Sequence, residues 1–124
     1  MENSAVILVV DDEFGVRQSF NMILKDTYEV ILAETGAQAL ETLSKRSVDL
    51  VLLDILLPDM NGIEILEKLK RSDPETDVIM VTAVNDVQTA VIATKLGAYE
   101  YIIKPFVVDE LLAVIPSTTS HLIG

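Results

Sequence analysis

Apolar residues along the chain fall into two alternating patterns. Five short runs, Ala5 to Val10, Tyr28 to Ala33, Asp49 to Leu53, Val78 to Val81 and Tyr99 to Ile103, are nearly continuous in apolar side chains and end at charged or turn residues. A strand buried on both faces reads this way, because neither side of its pleat meets water. Between the runs, apolar positions recur at helical spacing: Val16, Phe20, Ile23 and Leu24; Ala37, Leu40 and Leu43; Ile63, Leu66 and Leu69; Val87, Ala90, Val91 and Thr94. A fifth helix starts near Asp109 and carries Leu111, Leu112 and Ile115. Such spacing turns one stripe of each helix toward a core.

Strands that alternate with helices of this length require crossover connections, and crossovers give a parallel sheet with helices on both faces. The expected fold is therefore α/β, a (βα)5 doubly wound domain with a five-stranded sheet. Punctuation agrees: Gly36 opens the second helix, Pro58 to Gly62 is a loop, Asp73-Pro74 is a break, and Gly97 suits the position just past a helix end. Pro116 is the exception, since it arrives about two turns into the last helix, removes a backbone donor and crowds the preceding turn. Residues 116–124 are expected to be a kinked or irregular tail. At 124 residues, the chain has the size of one domain, 1–124, with its core over about 5–115.

Composition narrows the chemistry. With no cysteine and only His121 among the histidines, disulfides, thiolate sites and imidazole-based triads fall away, and His121 is given no role. A net charge of −11 repels the nucleic acid backbone, so no direct nucleic acid binding is expected. The most apolar stretch, Val48 to Leu57, is cut by Asp49 and Asp54, and no run reaches the roughly 18 uncharged apolar residues of a membrane helix. No signal-peptide pattern opens the chain, which predicts a cytoplasmic location.

The polar residues gather where a ligand would bind. In an open α/β sheet that place lies beyond the carboxyl ends of the strands, where strand order reverses. Asp11 and Asp12 follow strand 1, Asp54 ends strand 3, Thr82 ends strand 4 and Lys104 ends strand 5. In the flavodoxin-like order 2-1-3-4-5, strands 1 and 3 flank the switch point, so three carboxylates converge there. Hard oxygen donors without His or Cys suit Mg²⁺. Helix capping by Asp11 or Asp12 accounts for one acid but not for Asp54. Asp54 is apolar-flanked on both sides, and a carboxylate in such a place is costly unless paired or chemically used. It can act as a nucleophile toward phosphorus when cations neutralise the incoming oxygens, with Lys104 as the second cation. Thr82 could offer a hydroxyl to a phosphoryl oxygen, while Tyr101 by itself reads as edge packing.

Taken together, VVDDE, the Asp of LVLLDILLPDMNG, the VTA of Val81 to Ala83 and the KPF of Lys104 to Phe106 resemble bacterial response-regulator receiver domains, above all those of transcriptional regulators that carry an ATPase module. The resemblance implies Asp54 as phosphoacceptor, Asp11 and Asp12 as the Mg²⁺ pocket completed by the backbone carbonyl of Leu56, Thr82 and Tyr101 as the switch pair, and Lys104 as phosphate anchor, with a cis Lys104-Pro105 bond. It also implies a sensor histidine kinase as donor, no turnover enzyme activity beyond the receiver's own phosphorylation and dephosphorylation, and an output domain or homodimer contact through the face of helix 4, strand 5 and helix 5. Helix 4, rich in β-branched Val87, Thr89, Val91, Ile92 and Thr94, is expected to be mobile. Leu56 and Val84 should flank the site with nothing polar to orient water, which predicts a long-lived phosphorylated state. Rival readings are a Mg²⁺ phosphatase of the haloacid dehalogenase type, whose nucleophile instead follows the first strand in a D-x-D pattern, an FMN binder, whose phosphate loop DDEFG would repel, and a pseudo-receiver that binds partners without phosphorylation.

Overall fold

The computed structural model describes residues 4–119. Strands and helices alternate: β1 (Val6–Val10), α1 (Phe14–Leu24), β2 (Glu29–Ala33), α2 (Gly36–Lys45), β3 (Leu50–Leu53), α3 (Gly62–Ser72), β4 (Asp77–Thr82), α4 (Val87–Lys95), β5 (Glu100–Ile103) and α5 (Val108–Thr119). The strands form one parallel sheet in the order β2-β1-β3-β4-β5, the flavodoxin-like order read from the sequence. Four predicted strands start one residue late, Ala5, Tyr28, Asp49 and Tyr99 each lying just before the paired residues; Asp49 also accepts the Val6 amide on its carboxylate at 2.7 Å.

Two cores share the sheet. Leu8, Val10, Val51, Leu53, Val78 and Met80 pack with Ala39 of α2, Ile65, Leu66 and Leu69 of α3, and Ala93 of α4. The intervening residues Ile7, Val9, Leu50, Leu52, Ile79 and Val81 pack with Phe20 and Leu24 of α1 and Leu111 and Ile115 of α5. The alternation of side chains along a strand thus fills both layers, which is why the strands read as unbroken apolar runs. Each fully buried Leu or Ile contributes roughly 1.5–3 kcal/mol relative to exposure.

Two helices depart from their predicted stripes. In α2, Ala37 is exposed, and the inward positions are Gly36 and Ala39, with Leu40 and Leu43 packed beside them. Of the expected core face of α4, Val87, Val91 and Thr94 point outward, Val87 being 76% exposed, while Ala90 is half-buried and the helix lies on the sheet through Ala93. Apolar residues of α4 fall on more than one face, so periodicity alone does not choose a side, and Ala93 is the residue buried against the sheet. Of the kinked continuation or irregular end expected at Pro116, the described residues show a continuation, α5 running past it to Thr119. Leu111 and Ile115 are fully buried just before it, so packing holds the helix through the bond the proline deletes. Residues 120–124, including His121, lie outside the described residues.

Candidate functional site

The register of the central strands builds the site. Val10 pairs with both Ala33 and Leu53, so Asp11 and Asp54 leave the sheet side by side. The ladder continues for one more bond at each: the Asp11 amide donates to Ala33 and the Asp54 amide to Val10, both at 3.0 Å. Asp11 and Asp54 are buried, whereas Asp12 is exposed. One carboxylate oxygen from each of the three lies within 4.8 Å of the others.

Lys104 closes the group from across the sheet. Its amide donates to the Thr82 carbonyl at 2.9 Å, and its Nζ meets Asp11 Oδ2 at 2.7 Å, Asp54 Oδ2 at 2.9 Å and Glu13 Oε1 at 2.9 Å. Burial pulls the ammonium's pKa down, but its bonds to Asp11, Asp54 and Glu13 more than offset that, and the net push is upward. Burial pushes the Asp11 carboxyl up, and neighbouring Asp54 adds to it, against the pull of Lys104 and the Glu13 amide. Buried acids that repel one another are stabilised by one ammonium, an arrangement that favours further positive charge. The Lys104-Pro105 bond is cis.

Asp54 is held from its other side by the loop into α3. Its Oδ1 accepts the Leu56 amide at 3.1 Å, and Leu56 pairs with Asn61 in an isolated antiparallel bridge. Gly62 sits so close that a Cβ there would lie 2.1 Å from the Asp54 carbonyl oxygen. Asp59 ties the same loop to α2, accepting the amides of Gly36 at 2.8 Å and Ala37 at 2.9 Å.

The remaining predicted residues lie on one path. Thr82 is fully buried and its Oγ1 accepts the Val84 amide at 3.3 Å, while the Val84 carbonyl accepts the Tyr101 hydroxyl at 2.7 Å. Val84 therefore joins the two residues read as a switch pair. The Leu56 side chain is 58% exposed at the mouth of the site.

Sequence reasoning missed three contributors. Glu13 was read with its acidic neighbours and not as a partner of Lys104. Asp59 gave only a turn signal, and its contacts to α2, 22 and 23 residues away in sequence, follow from the fold alone. Arg17 Nη1 donates to the Asp11 carbonyl at 2.8 Å and steadies the loop after β1; its place one turn after Glu13 was the available sign. The opening acids do serve the backbone as well, since Asp11 Oδ1 accepts the Glu13 amide at 2.9 Å.

An all-oxygen set of three carboxylates, one still exposed to water, fits a divalent hard cation such as Mg²⁺, which uses few protein ligands and keeps waters.

Comparison with known proteins gives consistent matches. The family model described as response regulator receiver domain matches residues 7–116. The transcriptional regulatory protein ZraR of Escherichia coli O157:H7 is 40% identical over 93% of this chain, which spans 26% of that protein's length. Sporulation initiation phosphotransferase F of Bacillus subtilis is 41% identical, the alignment covering 85% of this chain and 86% of that one. Among solved structures, a CheY-like receiver domain protein from Methanospirillum hungatei JF-1 superposes with a TM-score of 0.91 at 35% identity, covering 96% of each chain.

Proposed function

The chain belongs to the response regulator receiver domain family, and on that footing we propose that Asp54 is the phosphoacceptor of this two-component switch, taking its phosphoryl group from a phosphohistidine on a sensor kinase. The observation that carries the reading is the placement of a buried Asp54 beside Asp11 and Asp12 with the Lys104 ammonium 2.9 Å from its Oδ2. A nucleophile, a cation and a site for a second cation meet where phosphorus must arrive.

In the proposed transfer an Asp54 oxygen forms a bond to phosphorus while the phosphorus–nitrogen bond of the donor breaks, the imidazole nitrogen keeping the electron pair. Asp11, Asp12, Asp54 and the Leu56 carbonyl would hold Mg²⁺, which when bound supplies charge neutralisation for the phosphoryl oxygens. The loop pinned by Gly62 and Asp59 orients Asp54. Lys104 anchors a phosphoryl oxygen by a charge-assisted hydrogen bond.

Phosphorylation adds roughly 1.5–2 negative charges and three acceptors. Thr82, whose present bond to Val84 is long at 3.3 Å, turns its hydroxyl to the phosphoryl group and draws on Val84. Tyr101 is bonded to the same residue, so the change reaches β5 and α4. Moving a two-state equilibrium from 1:99 to 99:1 takes roughly 5.5 kcal/mol, and two or three charge-assisted bonds supply much of that.

The surface that changes exposes Val91, Ile92, Ile103, Val108 and Leu112 and is proposed to meet an output domain or a second copy. No described helix is long and apolar enough to cross a membrane. We read residues 1–124 as one receiver unit, working in the cytoplasm without turnover of a separate substrate. The haloacid dehalogenase reading gives way because the acid that fits a nucleophile follows β3 and the family match covers residues 7–116.

Incubation with Mg²⁺ and acetyl phosphate tests the proposal by intact mass. Wild type is expected to gain one phosphoryl group and Asp54→Ala none. Absence of the gain in wild type, or its persistence in Asp54→Ala, overturns it.

A further inference from the structure

Counting donors on Lys104 exposes a conflict in the site. An ammonium has three N–H groups and no more, and Nζ spends them on Asp11 at 2.7 Å, Glu13 at 2.9 Å and Asp54 at 2.9 Å. The lysine side chain is only 13% exposed, so little water is at hand to exchange places. Loading converts the Asp54 carboxylate to an acyl phosphate and frees its N–H for one phosphoryl oxygen; a group with roughly 1.5–2 negative charges and three acceptors draws further on the ammonium, and a second donor must come from Asp11 or Glu13.

Asp11 and Glu13 differ in what release costs. The carboxylate of Asp11 is 3% exposed, and a buried carboxylate that loses its cation is strongly destabilised. That of Glu13 is 61% exposed, so it rehydrates at once and loses only a surface ion pair. Glu13 is also free to turn. It stands at the N-cap of α1 yet makes no side-chain cap bond, and it borders a cleft of about 450 Å³ shared with Val16, Ala83, Pro105 and Phe106. The incoming group, more negative than Glu13, repels it in the same direction.

Resting on the reading of Asp54 as phosphoacceptor, we propose that Glu13 is a place-holder for the phosphoryl group, a positioning residue that keeps Lys104 aimed at the site mouth and surrenders its bond when Asp54 is loaded. Its carboxylate competes with the phosphoryl oxygen for one N–H, so it sets how readily the loaded state forms.

Trifluoroberyllate, a non-covalent phosphoryl mimic, tests this by equilibrium titration at saturating Mg²⁺, followed by tyrosine fluorescence. Glu13→Gln and Glu13→Ala are expected to bind it about two- to fivefold more tightly than wild type, the range of a surface ion pair. Damage to structure would weaken binding instead. Glu75→Gln, which removes an exposed acid ahead of β4 at the opposite end of the sheet, is expected to match wild type. Unchanged or weaker binding in both Glu13 variants overturns the place-holder, as does equal tightening in Glu75→Gln. If wild type takes up neither trifluoroberyllate nor a phosphoryl group from acetyl phosphate, the reading of Asp54 itself falls and takes this one with it.

Discussion

Lys104 and its carboxylates show how much at the residue scale depends on contacts that sequence cannot rank. Asp11, Asp54 and Lys104 were legible because each ends a strand run, and a parallel sheet brings such ends together. The share of Glu13 was not, since adjacency to Asp12 says nothing about which side chain reaches a lysine 91 residues away. The residues at the mouth carry a prediction about lifetime. Leu56 is 58% exposed there, and Val84 spends both backbone groups on Thr82 and Tyr101, so neither side chain offers a hydrogen bond to an attacking water. Leu56→Asn and Val84→Lys are expected to hydrolyse the acyl phosphate faster than wild type, because each places a polar group where an attacking water can be oriented. Loss of phosphoryl mass with time, after removal of the donor, measures it; equal rates would mean that water is oriented from elsewhere.

Among the elements, α3 and α4 make an instructive pair. α3 buries Gly62, Ile65, Leu66 and Leu69, whereas α4 buries only Ala93. Its Val87, Thr89, Val91, Ile92 and Thr94 are poorer helix formers than Ala, each by up to about 0.7 kcal/mol. The composition of α4 was plain in the sequence but its orientation was not, because apolar residues spread over more than one face define no single stripe. Amides of α4 are expected to exchange faster than those of α3 in the unphosphorylated protein, on the order of tenfold, or about 1.4 kcal/mol less protection. Comparable rates would contradict this. The start of α2 gives a second test. The amides of Gly36 and Ala37 hold the Asp59 carboxyl below its ordinary 3.8. A depressed acid stabilises the fold above its unfolded pKa and loses that contribution as pH falls through the folded value. Wild type should therefore unfold at higher temperature than Asp59→Asn near neutral pH, and the difference should shrink as pH drops below 3.8. A gap that widens toward acid would contradict the assignment.

For the whole molecule, the order of strands was legible because crossover handedness and short connections leave few arrangements for five alternating units. Whether α5 continues past Pro116 stayed open at that level, since it depends on Leu111 and Ile115 being gripped by the core beneath. A chain of net charge −11 repels itself, and the sheet edge concentrates that repulsion in Asp11, Asp12 and Asp54, which Lys104 offsets only in part. A divalent cation bound to the folded state alone adds stability by linkage, about 2.7 kcal/mol at a hundred times its dissociation constant. Monovalent salt at equal ionic strength screens charge over the whole surface but cannot bridge three carboxylates. Mg²⁺ is therefore expected to raise the unfolding midpoint well beyond matched NaCl. Asp12→Asn and Asp54→Asn should lose that excess while keeping the response to NaCl. A full Mg²⁺ increment in Asp54→Asn would place the ion away from the acidic cluster, and the proposed chemistry at Asp54 would then lack its second cation.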